Sequence, residues 1–118
     1  MRLGPVGVGG LVTVIVDSVL TFADGRIEGS AVGGTSLIHL VLVAVIGTIA
    51  GFSGGWIAAT IEEDALAAQV LGVMLGISGL ATAGFVGMAG SSSYAIAWLI
   101  GGLLQAVGAF AAARVKFA

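Results

Sequence analysis

The chain has 118 residues, of which Lys+Arg supply 4 and Asp+Glu 6, so only 8% are charged, while 58% are hydrophobic and 21 are Gly. Soluble domains carry about a quarter of their residues as charges, so this composition excludes a water-soluble globular domain and a disordered tail. The net charge of −2 leaves no basic surface for nucleic acid. Cys is absent and His39 is the single His, which removes disulfides and thiolate nucleophiles and leaves too few ligands for an ordinary zinc or iron site.

The placement of the charges sets the fold class. No Asp, Glu, Lys or Arg occurs over the 33 residues between Glu28 and Glu62, nor over the 49 residues between Asp64 and Arg114. A helix crosses a bilayer core with about 20 apolar residues, so the second gap holds two crossings. The expected fold is an all-α integral membrane protein, a four-transmembrane-helix up-down bundle forming a single transmembrane domain over 1–118. The predicted helices run at about 3–22, 35–59, 65–89 and 94–113. A strand reading of Val12-Thr13-Val14-Ile15-Val16 fails, because an open sheet cannot satisfy its backbone in lipid.

The first segment begins behind Arg2, and Thr21-Phe22-Ala23 resembles a leader cleavage site, but the segment is expected to be the first membrane helix. A polar, Gly-rich loop follows, from Ala23 to Gly34, with Asp24, Arg26 and Glu28 on its solvated surface. The second helix leads into the short turn Thr60-Ile61-Glu62-Glu63-Asp64, where Thr60 and Glu63 have capping-box spacing. Negative charge in this turn suits the N-terminus of the third helix. Gly90-Ser91-Ser92-Ser93 is a second tight turn, with hydroxyls able to cap the fourth helix. Four crossings put Arg2, Arg114 and Lys116 on one side and Arg26 on the other, so both termini are expected on the cytoplasmic side. Tyr94 and Trp98 then mark the outer interface, and Trp56 and Phe117 the inner one.

Small residues recur at helical spacing. Gly47, Gly51 and Gly55 form a ridge on the second helix, Gly72, Gly76 and Gly79 on the third, and Gly101, Gln105 and Gly108 on the fourth. Lipid tails are as apolar as Leu, so membrane helices associate through close backbone approach, which such ridges permit. An internal match at an offset of 54 aligns Gly47, Gly54, Trp56 and Ala58-Ala59 with Gly101, Gly108, Phe110 and Ala112-Ala113. It is open to two explanations, a duplicated hairpin or shared packing chemistry.

Two ionisable residues, Asp17 and His39, fall inside the spans, where such groups mark function by default. Counting from the predicted helix ends puts both near the outer interface, at roughly 7–8 Å and 6 Å depth. They form a candidate intramembrane polar pair. It acts either as a proton- or ion-responsive unit, since His changes charge near neutral pH, or as a structural hydrogen bond between the first two helices. Gln69 and Gln105 are the other buried polar candidates.

No Ser-His-Asp or Cys-His set exists, and Gly7-Val8-Gly9-Gly10 lacks the strand and acidic residue of a dinucleotide fingerprint. The expectation is a non-enzymatic protein with no cofactor and no metal. It is a structural or accessory multi-pass membrane subunit, packed into a larger membrane assembly or a virion membrane. Its partners are the lipid bilayer and other membrane subunits or copies of itself. The alternative is a small homo-oligomeric ion or proton channel or transporter using Asp17 and His39.

Overall fold

The computed structural model describes residues 3–27, 37–90 and 92–117, with side chains described for 3–22, 40–90 and 95–117. These residues form four α-helices: α1 (Leu3–Ile27), α2 (Leu37–Glu62), α3 (Ala65–Met88) and α4 (Ser92–Lys116). Each is long and apolar enough to cross a membrane. Helices of this length make rods about 36–39 Å long at 1.5 Å per residue, in keeping with the 41 Å long axis of the molecule.

α1, α2 and α4 outrun their predicted C-terminal ends, while α3 stops at Met88, one residue short of its own. α1 continues through Asp24 and Arg26, where a loop was expected, because no Pro and only the single Gly25 falls between Phe22 and Ile27. α2 continues through Thr60, so the expected capping box does not form: the Thr60 hydroxyl donates to the Trp56 carbonyl (2.7 Å). The reversal is made by Glu63 and Asp64 alone. Glu63 takes φ 58° at the end of α2, the left-handed position that usually terminates a helix. Asp64 is the N-cap of α3, its carboxylate accepting from the Leu66 N–H at 2.9 Å. At the other tight turn, Gly90 supplies the positive φ of 94°.

Side-chain size is distributed inside out. Among the described residues, the hydrophobic ones with no exposure are all Ala (Ala50, Ala58, Ala59, Ala67, Ala68, Ala109 and Ala112), joined by Thr13. Large apolar residues such as Leu11, Val14, Ile49, Val73, Ile77, Leu80 and Val107 face outward. An Ala core buries too little surface to hold a soluble bundle together. It suits helices held by backbone proximity instead.

α4 packs about equally closely on α2 and on α3, and α1 packs on α2. α2 and α4 run parallel. A Cβ on Gly47 would lie 2.7 Å from the Gly101 carbonyl oxygen, one on Gly51 would overlap the Gln105 backbone, and one on Gly55 would lie 2.8 Å from the Ala109 Cα. Each pair differs by 54 in number, the offset of the internal match. Of the matched positions, Gly47 lies against its counterpart Gly101, whereas Gly54 faces Thr13 and Gly9 of α1 and Gly108 faces the Thr48 and Phe52 backbone. α1 and α3 do not align at that shift because nine residues (28–36) join α1 to α2, while three (89–91) join α3 to α4.

The flanking contacts are as close. A Cβ on Gly79 would lie 2.6 Å from the Gly102 Cα, and the Gly72 position is covered by the Phe110 ring at 3.1 Å. Gly54 receives Thr13 from α1, and that buried hydroxyl is satisfied by the Gly9 carbonyl (2.9 Å). By contrast, a Cβ on Gly84 would meet nothing within 4 Å.

Gly51→Val is expected to destabilise the bundle by about 1–3 kcal/mol, the usual penalty of overpacking, whereas Gly84→Ala stays within about 0.5 kcal/mol of the parent. Unfolding in mixed micelles checks both. Equal losses in the two variants would contradict this packing.

Candidate functional site

The polar side chains of the helices divide into two groups. Thr13, Thr48, Ser53 and Thr60 each donate to the carbonyl four residues earlier in their own helix, a local arrangement that lets a hydroxyl sit in apolar surroundings. Asp17 instead reaches another helix. Its Oδ2 accepts from the Gln105 Nε2 of α4 at 2.6 Å, and its Oδ1 accepts from the Thr21 hydroxyl, one turn on in α1, at 3.2 Å.

This contact depends on the α2–α4 interface. Gly51 lets the Gln105 backbone lie directly against α2, and the Gln105 amide then extends to α1. Gln105 is ten residues from Ala95 and eleven from Lys116, the limits of the apolar stretch of α4. The pair therefore lies near the middle of that helix. Asp17 is ten residues, about 15 Å, from the end of α1 at Ile27. The helix runs a turn and a half beyond Phe22, an extension that carries Asp24 and Arg26.

The hydrogen-bonded pair borders a cavity of about 230 Å³. α1 contributes Asp17 and Thr21, α2 Val43 and Ile46, α3 Ser78 and Thr82, and α4 Trp98 and Gln105, with Gly79, Gly101 and Gly102 in the wall. The glycines serve twice, allowing close helix contact and leaving room beside it. None of the described lining residues carries a positive charge, so Asp17 is the one ionisable group among them. Among the described residues, no three His, Cys, Asp or Glu side chains gather as a metal site. A second hollow, beside Phe52, Trp56 and Val115, is lined mainly by apolar atoms on the exterior.

The other predicted residues separate cleanly. His39 lies two residues into α2, about 6 Å by helix rise from Val43. Whether the side chains of Asp17 and His39 meet lies outside the described residues, as does the side chain of Tyr94. Gln69 is exposed on α3 and borders no described cavity, contrary to its expected burial. A Cβ on Gly76 would have the Ala106 Cβ as its nearest neighbour, at 3.5 Å, an ordinary contact. Gly108 packs against the Thr48 and Phe52 backbone. At the far end, Lys116 Nζ stands 4.6 Å from the Trp56 ring centroid, with Phe52 stacked on the same Trp.

Sequence reading missed Ser78, Thr82 and Trp98 as cavity residues. The usable signal was the i, i+4 spacing of Ser78 and Thr82, which puts two hydroxyls on one face of an otherwise apolar helix. No protein-family model, curated protein or solved structure matches the chain.

The Asp17–Gln105 bond is expected to appear as a coupling of about 1 kcal/mol in a double-mutant cycle of Asp17→Ala and Gln105→Ala, within the range of such bonds between membrane helices. Additive losses would show that the two side chains do not interact.

Proposed function

We propose that this chain is a four-span integral membrane protein with both termini on the cytoplasmic side, and that it works as a small channel or transporter for cations or protons through the Asp17 cavity. The single observation that carries this reading is the carboxylate of Asp17, bonded to Gln105 near the middle of α4 and bordering a partly polar hollow. Holding such a group at the centre of a span costs about 2.5–3.5 kcal/mol or more, a cost with no structural need when Thr13 or Thr48 can pack by bonding to their own helices. The sided Lys/Arg distribution, with Arg2, Arg114 and Lys116 against Arg26, supports the orientation. The cavity then belongs to the outer half of the bundle, with position 39 of α2 between it and the outer end. The reading assigns the protein no catalytic step.

The structural role expected from the small-residue ridges keeps one support. Gly4, Gly7 and Gly84 have open space beside them, on an exterior apolar enough to meet other subunits of a larger assembly, such as an energy-converting complex or a virion membrane. The ridges of α2, α3 and α4 support that role less, because they are occupied within the chain. Purification in mild detergent separates the two readings, since a subunit of an assembly brings a stoichiometric partner with it.

Reconstituted into liposomes, the protein is expected to pass monovalent cations or protons down an imposed gradient, and Asp17→Asn to lower that flux at least tenfold. Flux no greater than in protein-free liposomes, or unchanged in Asp17→Asn, would contradict the reading.

A further inference from the structure

Taking the Asp17 cavity as the site of cation handling, we propose that its ligand is a small organic ammonium ion, with its charge at Asp17 and its hydrocarbon against Trp98, Val43 and Ile46. This inference rests on the channel or transporter function proposed for the cavity and names the substrate class.

Charge comes first. Asp17 is the one ionisable side chain among the described lining residues, so an anion meets only repulsion, while a cation supplies the countercharge that a carboxylate inside a span requires. Size comes next. Liquid water occupies about 30 Å³ per molecule, so a cavity of about 230 Å³ has room for roughly seven waters or for an ammonium carrying several carbons. A bare metal ion suits the walls poorly. Hard cations take about six to eight oxygen ligands at close range, whereas the described wall spreads its side-chain oxygens over α1, α3 and α4 beside Val43, Ile46 and Trp98, and much of it is aliphatic or aromatic. A proton alone leaves that apolar wall without a role.

An alkylammonium uses both kinds of surface. Its charge is diffuse and needs no tight oxygen cage, its methyl groups pack on Val43 and Ile46, and Trp98 offers the aromatic type that binds cations best. The hydroxyls of Thr21, Ser78 and Thr82 border the same space and accept any N–H the ion carries.

The test is calorimetric titration of the purified protein in lipid nanodiscs with tetramethylammonium and choline, with sodium and potassium as comparators, alongside the liposome flux assay. Saturable binding of the organic cations is expected, at least tenfold tighter than that of either alkali ion. Asp17→Asn should weaken it at least tenfold. Trp98→Leu should weaken it about two- to thirtyfold, the range of a cation–π contact, and Asp17→Glu should keep it within about tenfold. Circular dichroism and a single gel-filtration peak establish that each variant is folded, and Thr82→Val gives a further probe of the wall without altering its charge. Absence of organic-cation binding, or binding indifferent to both Asp17→Asn and Trp98→Leu, overturns the inference. If alkali ions or protons still pass in an Asp17-dependent way, the broader reading stands and only the ligand class falls. If no cation binds or passes, both fall.

Discussion

Contact between the backbones of α2 and α4 is the constraint on which the rest of this structure depends. It exists because Gly47, Gly51 and Gly55 meet Gly101, Gln105 and Ala109 with no Cβ from α2 in the way. In the four-span membrane protein proposed above, bilayer lipid would offer no hydrophobic drive for one apolar helix to seek another, and close approach and dispersion would hold them. The inside-out distribution of side chains follows. Ala and Gly fill the centre, and Leu, Ile and Val are left to the periphery. With α2 and α4 fixed in parallel, α1 and α3 take the flanking grooves through Gly9–Gly54 and Gly79–Gly102.

The candidate site is a consequence of the same contact. A side chain on residue 51 would push α4 outward at Gln105, the residue whose amide reaches Asp17. The small residues that close the α3–α4 and α2–α4 seams at Gly79, Gly101 and Gly102 also leave the space that Asp17, Ser78 and Thr82 border. Packing and polarity are thus coupled, since the residues that make the bundle tight decide where it is hollow. Among the interior polar groups, the threonines are satisfied locally and cost little. Asp17 depends on a partner from a distant part of the chain, and that is what sets it apart.

Much of the fold was legible in the sequence because long uncharged stretches and short turns are local signals. The ends were less so. Thr60 and Glu63 have capping spacing, yet Asp64 makes the cap, because helix propensity carries α2 two residues past Thr60 and Glu63 accepts a positive φ. The offset of 54 was visible in the sequence, but not that it records a parallel interface, since either of two explanations produces it. Asp17 was identifiable from its charge alone. Its partner was not, because Gln105 is 88 residues away and its approach depends on three-dimensional contact at Gly51. The end of α1 was missed in the same way, since hydropathy ends at Phe22 but the helix does not.

Since the chain contains no Cys, the α2–α4 contact can be measured by introducing two. A Cβ on Gly101 would lie 3.3 Å from Val43 Cγ1, the atom whose place a cysteine sulfur would take, so two cysteines here stand close enough to pair. Leu103, two residues on, is largely turned to the exterior. Mild oxidation in native membranes should link Val43→Cys with Gly101→Cys within one chain and leave Val43→Cys with Leu103→Cys unlinked. Efficient linkage of the second pair, or none of the first, would contradict the parallel, glycine-mediated contact from which the bundle and its polar cavity are built.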